Sequence, residues 1–150
     1  MEKNITWERG EYWITTDKRK MDIHFVHSEL TQLFWARGVE FEKVNTAVEN
    51  SLCFALFHRD KPIGFARLVT DFAMFSYLSD VFIIDEYQKK GLGRWLIECV
   101  LQHPIIPHVK RMMLVTSNAS WLYKKLGFSP VVEQDFVWML DKTTISKEPQ

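Results

Sequence analysis

Ile83-Ile84-Asp85-Glu86-Tyr87-Gln88-Lys89-Lys90-Gly91-Leu92-Gly93-Arg94 joins two unlike patterns. Before it, Tyr77 to Ile84 is rich in β-formers and apolar at its end, as a central strand is. After it, Leu92 to Leu101 is apolar at helical spacing and is stopped by Pro104. The junction is therefore a strand, a glycine turn and a helix. The first N–H groups of a helix lack internal partners, and the macrodipole puts about half a positive charge there. Gly91 and Gly93 allow close backbone approach and positive φ, and Lys89, Lys90 and Arg94 add side-chain charge. Taken alone, the turn reads either as a pyrophosphate cradle or as a plain tight connection. Arg94-Trp95-Leu96 stands where a dinucleotide fingerprint needs its third glycine, and the P-loop pattern is absent.

The flanking sequence fits a mixed α/β (α+β) domain around one twisted sheet. Tyr12 to Thr16 reads as a first strand. Asp22 caps a helix running to about Trp35, with Ile23, Val26, Leu30, Leu33 and Phe34 at helical spacing. A second helix covers Phe41 to Glu49. Leu52 to His58 and Ile63 to Thr70 form a hairpin about Arg59-Asp60-Lys61. Beyond the long helix come a strand from Met112 to Thr116 and a short helix from Ala119 to Leu126 stopped by Gly127. Two closing strands follow, Phe128 to Val132 and Phe136 to Leu140. The expected total is about seven strands and four helices.

With 150 residues, the chain is expected to be one domain, 1–150, with a flexible tail over about 143–150. Nineteen basic residues balance nineteen acidic ones, so no basic bias argues for a nucleic-acid partner or an anionic membrane. No leader pattern or spanning run is present, which leads us to expect a cytoplasmic protein. Cys53 and Cys99 each sit in apolar runs and read as reduced core thiols rather than nucleophiles. His24, His27, His58, His103 and His108 show no ligand spacing, and no metal is expected.

Asp85 to Gly93 resembles the Gln/Arg-x-x-Gly-x-Gly/Ala coenzyme motif of the GNAT N-acetyltransferase superfamily. Ser117-Asn118-Ala119-Ser120-Trp121-Leu122-Tyr123-Lys124-Lys125-Leu126-Gly127-Phe128 resembles that superfamily's later motif, an Asn, a helix carrying a Tyr, and a closing Leu-Gly-Phe. The element order resembles it over nearly the whole chain. The resemblance implies acetyl-CoA as cosubstrate and a sheet splayed between the strand ending near Ile84 and the strand from Met112. It implies that the pantetheine arm pairs with the backbone of Val81, Phe82 and Ile83, and that Gln88, Lys89, Lys90, Gly91, Leu92, Gly93 and Arg94 hold the pyrophosphate. Asn118 would contact the arm, and Tyr123 would sit by the thioester sulfur.

Such a reaction needs a neutral amine. A lysine-like amine near pKa 10.4 is less than about 0.1% neutral at pH 7, a cost of about 4–5 kcal/mol. Asp80 is the first candidate base, ahead of His24 and Asp71. Tyr123 is the natural proton donor to the leaving thiolate, and a backbone N–H near Val81 or Phe82 suits the carbonyl oxygen. By resemblance the acceptor lies by the loop around Trp35. Asp71, Phe75 and Tyr77, with Phe72 and Asp80, supply acid and rings for a cationic group. The expected partner is a small-molecule or peptide amine, with a homodimer as a further expectation. Two alternatives stand beside the enzyme: a non-catalytic acyl-CoA sensor, and a nicotinamide oxidoreductase that lacks its ribose acid.

Overall fold

The structure is a computed structural model and describes residues 3–33 and 36–142. It holds two compact units, Met1–Thr116 and Ser117–Gln150. The first contains a six-stranded sheet in the order β1-β2-β3-β4-β5-β6. Its strands are β1 (Thr6–Arg9), β2 (Tyr12–Thr15), β3 (Leu52–His58), β4 (Lys61–Thr70), β5 (Phe75–Ile83) and β6 (Arg111–Met113). Helices α1 (Ile23–Leu30), α2 (Phe41–Glu49) and α3 (Leu92–Gln102) complete the unit, and α4 (Ser120–Lys125) lies in the second. Neighbouring strands run antiparallel except for β5 and β6, which are parallel.

β3 is buried along nearly its whole length, which explains its uninterrupted apolar run. Its alternate residues serve two layers. Cys53, Ala55 and Phe57 join Phe65, Phe82 and the buried residues of α1 and α2 in one cluster. On the other side Phe54 meets His103, just past α3, edge-on at 5.9 Å. Residues such as Phe54, Leu56 and Phe65, fully enclosed, each contribute roughly 1.5–3 kcal/mol. Gly64 is demanded by this packing. A Cβ there would lie 2.8 Å from Ile83 Cδ1 and 3.0 Å from the Phe82 carbonyl oxygen.

Several boundaries differ from the sequence expectation. β1 was not foreseen; Gly10, at φ +60, turns the chain so that Thr6 pairs with Thr15. α1 begins under its Asp22 cap, which accepts from Phe25 N–H at 3.0 Å, but it ends at Leu30. There Leu33 N–H bonds back three residues to Leu30, and the Thr31 hydroxyl takes the Gly38 N–H at 3.1 Å. β5 starts two residues early, at Phe75, and β6 stops at Met113.

The second unit also departs from expectation. Neither 128–132 nor 136–140 forms a strand. Asp135 adopts φ +60, and the Trp138 indole donates to the Asp135 carbonyl at 2.6 Å, curling the segment on itself. Val132, Trp138, Met139 and Leu140 are all exposed there. The expected tail over 143–150 lies outside the described residues.

Candidate functional site

Strand β5 carries an irregularity at the residues singled out from sequence. Arg67 pairs with Ser79 and Phe65 with Phe82, so Asp80 and Val81 together face Ala66 alone. This is a β-bulge, and Asp80 sits in it at φ +55, a conformation unusual for a non-glycine residue. Its carboxylate explains how the bulge is held. Asp80 Oδ2 accepts from Arg67 Nε at 2.7 Å, and Oδ1 accepts from the Ser79 hydroxyl at 3.4 Å. Arg67 Nη1 also donates to Ser51 Oγ at 3.0 Å. Asp80 is thus a guanidinium-paired carboxylate rather than an isolated one.

Past the bulge, the two edges of β5 are used differently. Ile84 N–H donates to Ile63 on β4, so Ile83 and Val81 turn their polar backbone groups to the opposite edge. On that edge β6 pairs with Phe75, Ser76 and Tyr77 only. From Leu78 to Ile83 no strand lies there among the described residues. The sheet therefore opens beside Val81 and Ile83. One of the exposed groups has a local partner: Gln88 Nε2 donates to the Ile83 carbonyl at 2.8 Å and to Asp85 Oδ1 at 3.3 Å.

Asp85–Tyr87 forms a single 3-10 turn, and the glycine turn follows it directly. Lys89 and Gly91 both adopt left-handed φ, +64 and +80, and Gly91 is the N-cap of α3. No side chain caps this helix end. Alternating left-handed residues before an uncapped helix form a concavity of backbone N–H groups that suits an anion. Gly93 has a different reason to be glycine. A Cβ there would meet only Ile83 Cγ1, at an ordinary 3.7 Å, so the protein's own packing leaves room for one. Arg94, expected to supply charge to the anion, has its Nε 3.2 Å from Glu98 one helical turn on.

Of the residues expected to hold the acceptor, Asp71 and Phe75 lie together at the turn between β4 and β5, with Tyr77 two residues further along β5. Phe75 begins β5 and Asp80 lies five residues along it, roughly 16 Å away. Asp71 Oδ1 accepts three backbone N–H groups, from Ala73, Met74 and Phe75, at 3.0, 2.7 and 3.1 Å. Those bonds, Met74's foremost, hold its carboxyl below the usual range, and they shape the turn between β4 and β5. Tyr77 pairs with Val69 and Met113, and Phe72 and Phe75 are each 41% exposed. His24 is exposed and stacks on Phe41 of α2 at 4.5 Å, away from β5 in sequence. Trp35 lies outside the described residues. Cys53 and Cys99 are free and buried, and burial pushes each thiol up to about 12.

Tyr123 and Asn118 belong to the second unit. Asn118 is exposed and precedes the N-cap, Ala119, without capping α4. Tyr123 is fixed by the way α4 ends. Phe128 N–H donates to the Tyr123 carbonyl at 3.0 Å and Gly127 N–H to the Lys124 carbonyl at 3.2 Å, with Gly127 at φ +101. This is a Schellman motif, and its usual apolar contact is supplied by the Tyr123 and Phe128 rings, edge-on at 5.6 Å. The Leu-Gly-Phe closure therefore orients Tyr123, whose hydroxyl pKa is raised by burial.

Sequence reasoning missed Arg67 and Ser51. A single Arg inside the apolar run Ile63 to Val69 was the available signal, since a strand buried on both faces carries a charge only beside a partner.

Comparison with known proteins gives concordant matches. The family described as acetyltransferase (GNAT) domain matches residues 49–130, more than half the chain. A Xanthomonas campestris crystal structure, described as a proposed acetyltransferase of the GNAT family, is 35% identical with a TM-score of 0.78. That match covers 81% of this chain and 86% of the other. A Gibberella zeae protein whose name proposes an acetyltransferase is 29% identical, over 88% of this chain and 89% of its own. A GNAT-family acetyltransferase structure from Streptococcus pneumoniae, 24% identical, shares the fold with a TM-score of 0.66, over 85% of this chain and 96% of its own.

Proposed function

Because the chain belongs to the GNAT acetyltransferase family, we propose that it transfers an acetyl group from acetyl-CoA to a primary amine by direct attack in a ternary complex. The observation that carries the coenzyme half is the succession of two features along one stretch of chain. The open edge at Val81 and Ile83 leads, through the 3-10 turn Asp85–Tyr87, to the left-handed turn at Lys89 and Gly91. Gly93 supports this fit, since the space beside it is not required by the protein itself. In this reading Val81 and Ile83 receive the pantetheine arm, with Phe82 between them turned to β4. The amides of Lys89 to Arg94 hold the pyrophosphate, with Gln88 bracing the turn from within. The coenzyme supplies an activated acetyl thioester; the rest is the work of the chain.

The bulge is what makes β5 reactive rather than merely receptive. It takes Asp80 and Val81 out of register with β4, which leaves the Val81 N–H to face the carbonyl oxygen as negative charge develops there. A donor so placed is worth about 3–4 kcal/mol. The amine nitrogen forms the new C–N bond as the C–S bond breaks. One proton leaves the ammonium for Asp80, directly or through water, before attack; Tyr123 gives its proton to the departing sulfur, and the second nitrogen proton, shed as the amide forms, returns through water to the tyrosinate. A phenol held neutral by burial remains a donor throughout neutral pH. Asn118 contacts the arm, and the acceptor approaches the side of the sheet bearing Tyr77 and Asp80, with Asp71 shaping the turn below.

One observation favours the second reading, an acyl-CoA sensor without turnover: the Asp80 carboxylate already has a guanidinium partner. Thiol release from acetyl-CoA over a panel of small amines, amino acids and lysine peptides separates the two. Transfer predicts release that depends on one class of amine and falls at least tenfold in Tyr123→Phe. Binding of acetyl-CoA without amine-dependent release would establish the sensor.

A further inference from the structure

A second set of polar side chains lies outside the proposed chemistry and touches the coenzyme turn from behind. Tyr87 Oη is 2.8 Å from His58 Nδ1, and His58 Nε2 is 3.0 Å from Glu11 Oε1. The other Glu11 oxygen accepts from Arg59. Tyr12 stacks on the His58 ring at 4.8 Å. Next to Tyr87, Glu86 accepts from Lys61 Nζ at 3.1 Å, and the same ammonium lies 5.5 Å from the Tyr87 ring centroid. His58 ends β3, Lys61 begins β4, and Glu11 sits in the turn between β1 and β2. Three consecutive residues at the entrance of the coenzyme turn are therefore tied down: Glu86, Tyr87 and, through Ile83, Gln88.

The chemistry of this chain of bonds is directional. Arg59 foremost, and His58 after it, hold the Glu11 carboxyl below its ordinary range, so it accepts only. An acceptor at Nε2 places a proton on that nitrogen. In the neutral ring Nδ1 is then the acceptor for the Tyr87 O–H, and both ring nitrogens are engaged. The stacked Tyr12 ring fixes the plane of the imidazole.

We infer that Glu11, His58 and Tyr87 form a strap that anchors the coenzyme turn to the β1–β2 and β3–β4 hairpins and sets its affinity for the coenzyme pyrophosphate. These are positioning residues; none of them touches the reacting atoms. The inference rests on the coenzyme reading given above. Loss of one strap bond weakens CoA binding about fivefold.

Calorimetric titration of the intact protein with CoA tests it, using Tyr87→Phe, His58→Ala, His58→Asn and the Tyr87→Phe/His58→Ala double variant. The strap predicts about fivefold weaker binding in each of the first two, and no further loss in the double variant, because both cut one chain of bonds. His58→Asn, whose side-chain amide replaces Nδ1, restores most of the affinity. Amide exchange over residues 88–93 of the unliganded protein quickens in Tyr87→Phe. CoA binding that is equal in wild type and all variants, with unchanged exchange, overturns the strap and leaves the coenzyme reading standing. No CoA binding by the wild type overturns the coenzyme reading, and the strap with it.

Discussion

Arg67 and Asp80 face each other across β4 and β5 with side chains only 18% and 13% exposed, so water screens the pair weakly. Removing one partner strands the other. Arg67→Met is expected to cost roughly 3 kcal/mol of stability and to reduce turnover, because the bulge and the Asp80 carboxylate lose their anchor together. Arg67→Lys keeps the charge but loses the second bond to Ser51, and should fall between. Denaturant titration beside thiol-release kinetics checks this; a variant with wild-type stability would show that the pair does not hold the bulge. The cysteines give a prediction of the opposite kind. With thiols pushed up to about 12, roughly one in ten thousand is ionised at pH 8. Alkylation of Cys53 and Cys99 should therefore require unfolding, and mass spectrometry of native protein treated with iodoacetamide should find both unmodified. Asp80 was legible in the sequence as a carboxylate beside a coenzyme motif. Its partner was not, because Arg67 lies thirteen residues away in a hairpin whose register is shifted by the bulge itself.

Glycines separate the requirements of the elements. Gly64 serves the sheet: Gly64→Ala must displace the Phe82 carbonyl as well as two flexible side-chain tips, at a cost of about 1–3 kcal/mol. Gly93 belongs to the turn proposed to hold the coenzyme. Gly93→Ala adds only an ordinary contact with Ile83 Cγ1 in the first turn of α3, where alanine is the better helix former, so Tm should hold or rise while KM for acetyl-CoA increases at least fivefold. Equal KM in that variant would remove the reason for a glycine there. In α4, Phe128→Ala keeps the Schellman hydrogen bonds but removes the ring packed on Tyr123. It should lower turnover more than it raises KM for acetyl-CoA. The central elements were legible because their periodicity is strong: Leu52–His58 and Phe41–Glu49 match the sequence boundaries. The segment from Phe128 to Leu140 was not. Its β-formers read as two strands, yet alternation does not specify a pairing partner, and the left-handed Asp135 with its Trp138 bond bends the chain instead.

At the scale of the molecule, the titrating groups set an acid limit. Glu11, Asp17 and Asp71 are all held below their ordinary values, by Arg59, by Arg19 and by the Met74 N–H respectively. A depressed carboxylate stabilises the fold above its unfolded pKa, and that contribution disappears as pH falls through the folded value. Glu29, raised by burial, has the opposite sign and loses stability as pH rises. Three groups against one predict a Tm that declines below about pH 4, with the Asp71 turn among the first parts to loosen. A Tm flat or rising toward pH 3 would contradict the assignment. The proposed transfer requires that the backbone of Lys89 to Arg94 receive the pyrophosphate of acetyl-CoA. Amide chemical-shift mapping by NMR reads that backbone directly. Titration with CoA should shift the amides of residues 89–94 most strongly, with smaller changes at Val81 and Ile83, and NAD should leave them in place. CoA that shifts other amides while these stay still, or NAD that shifts them equally, would contradict it.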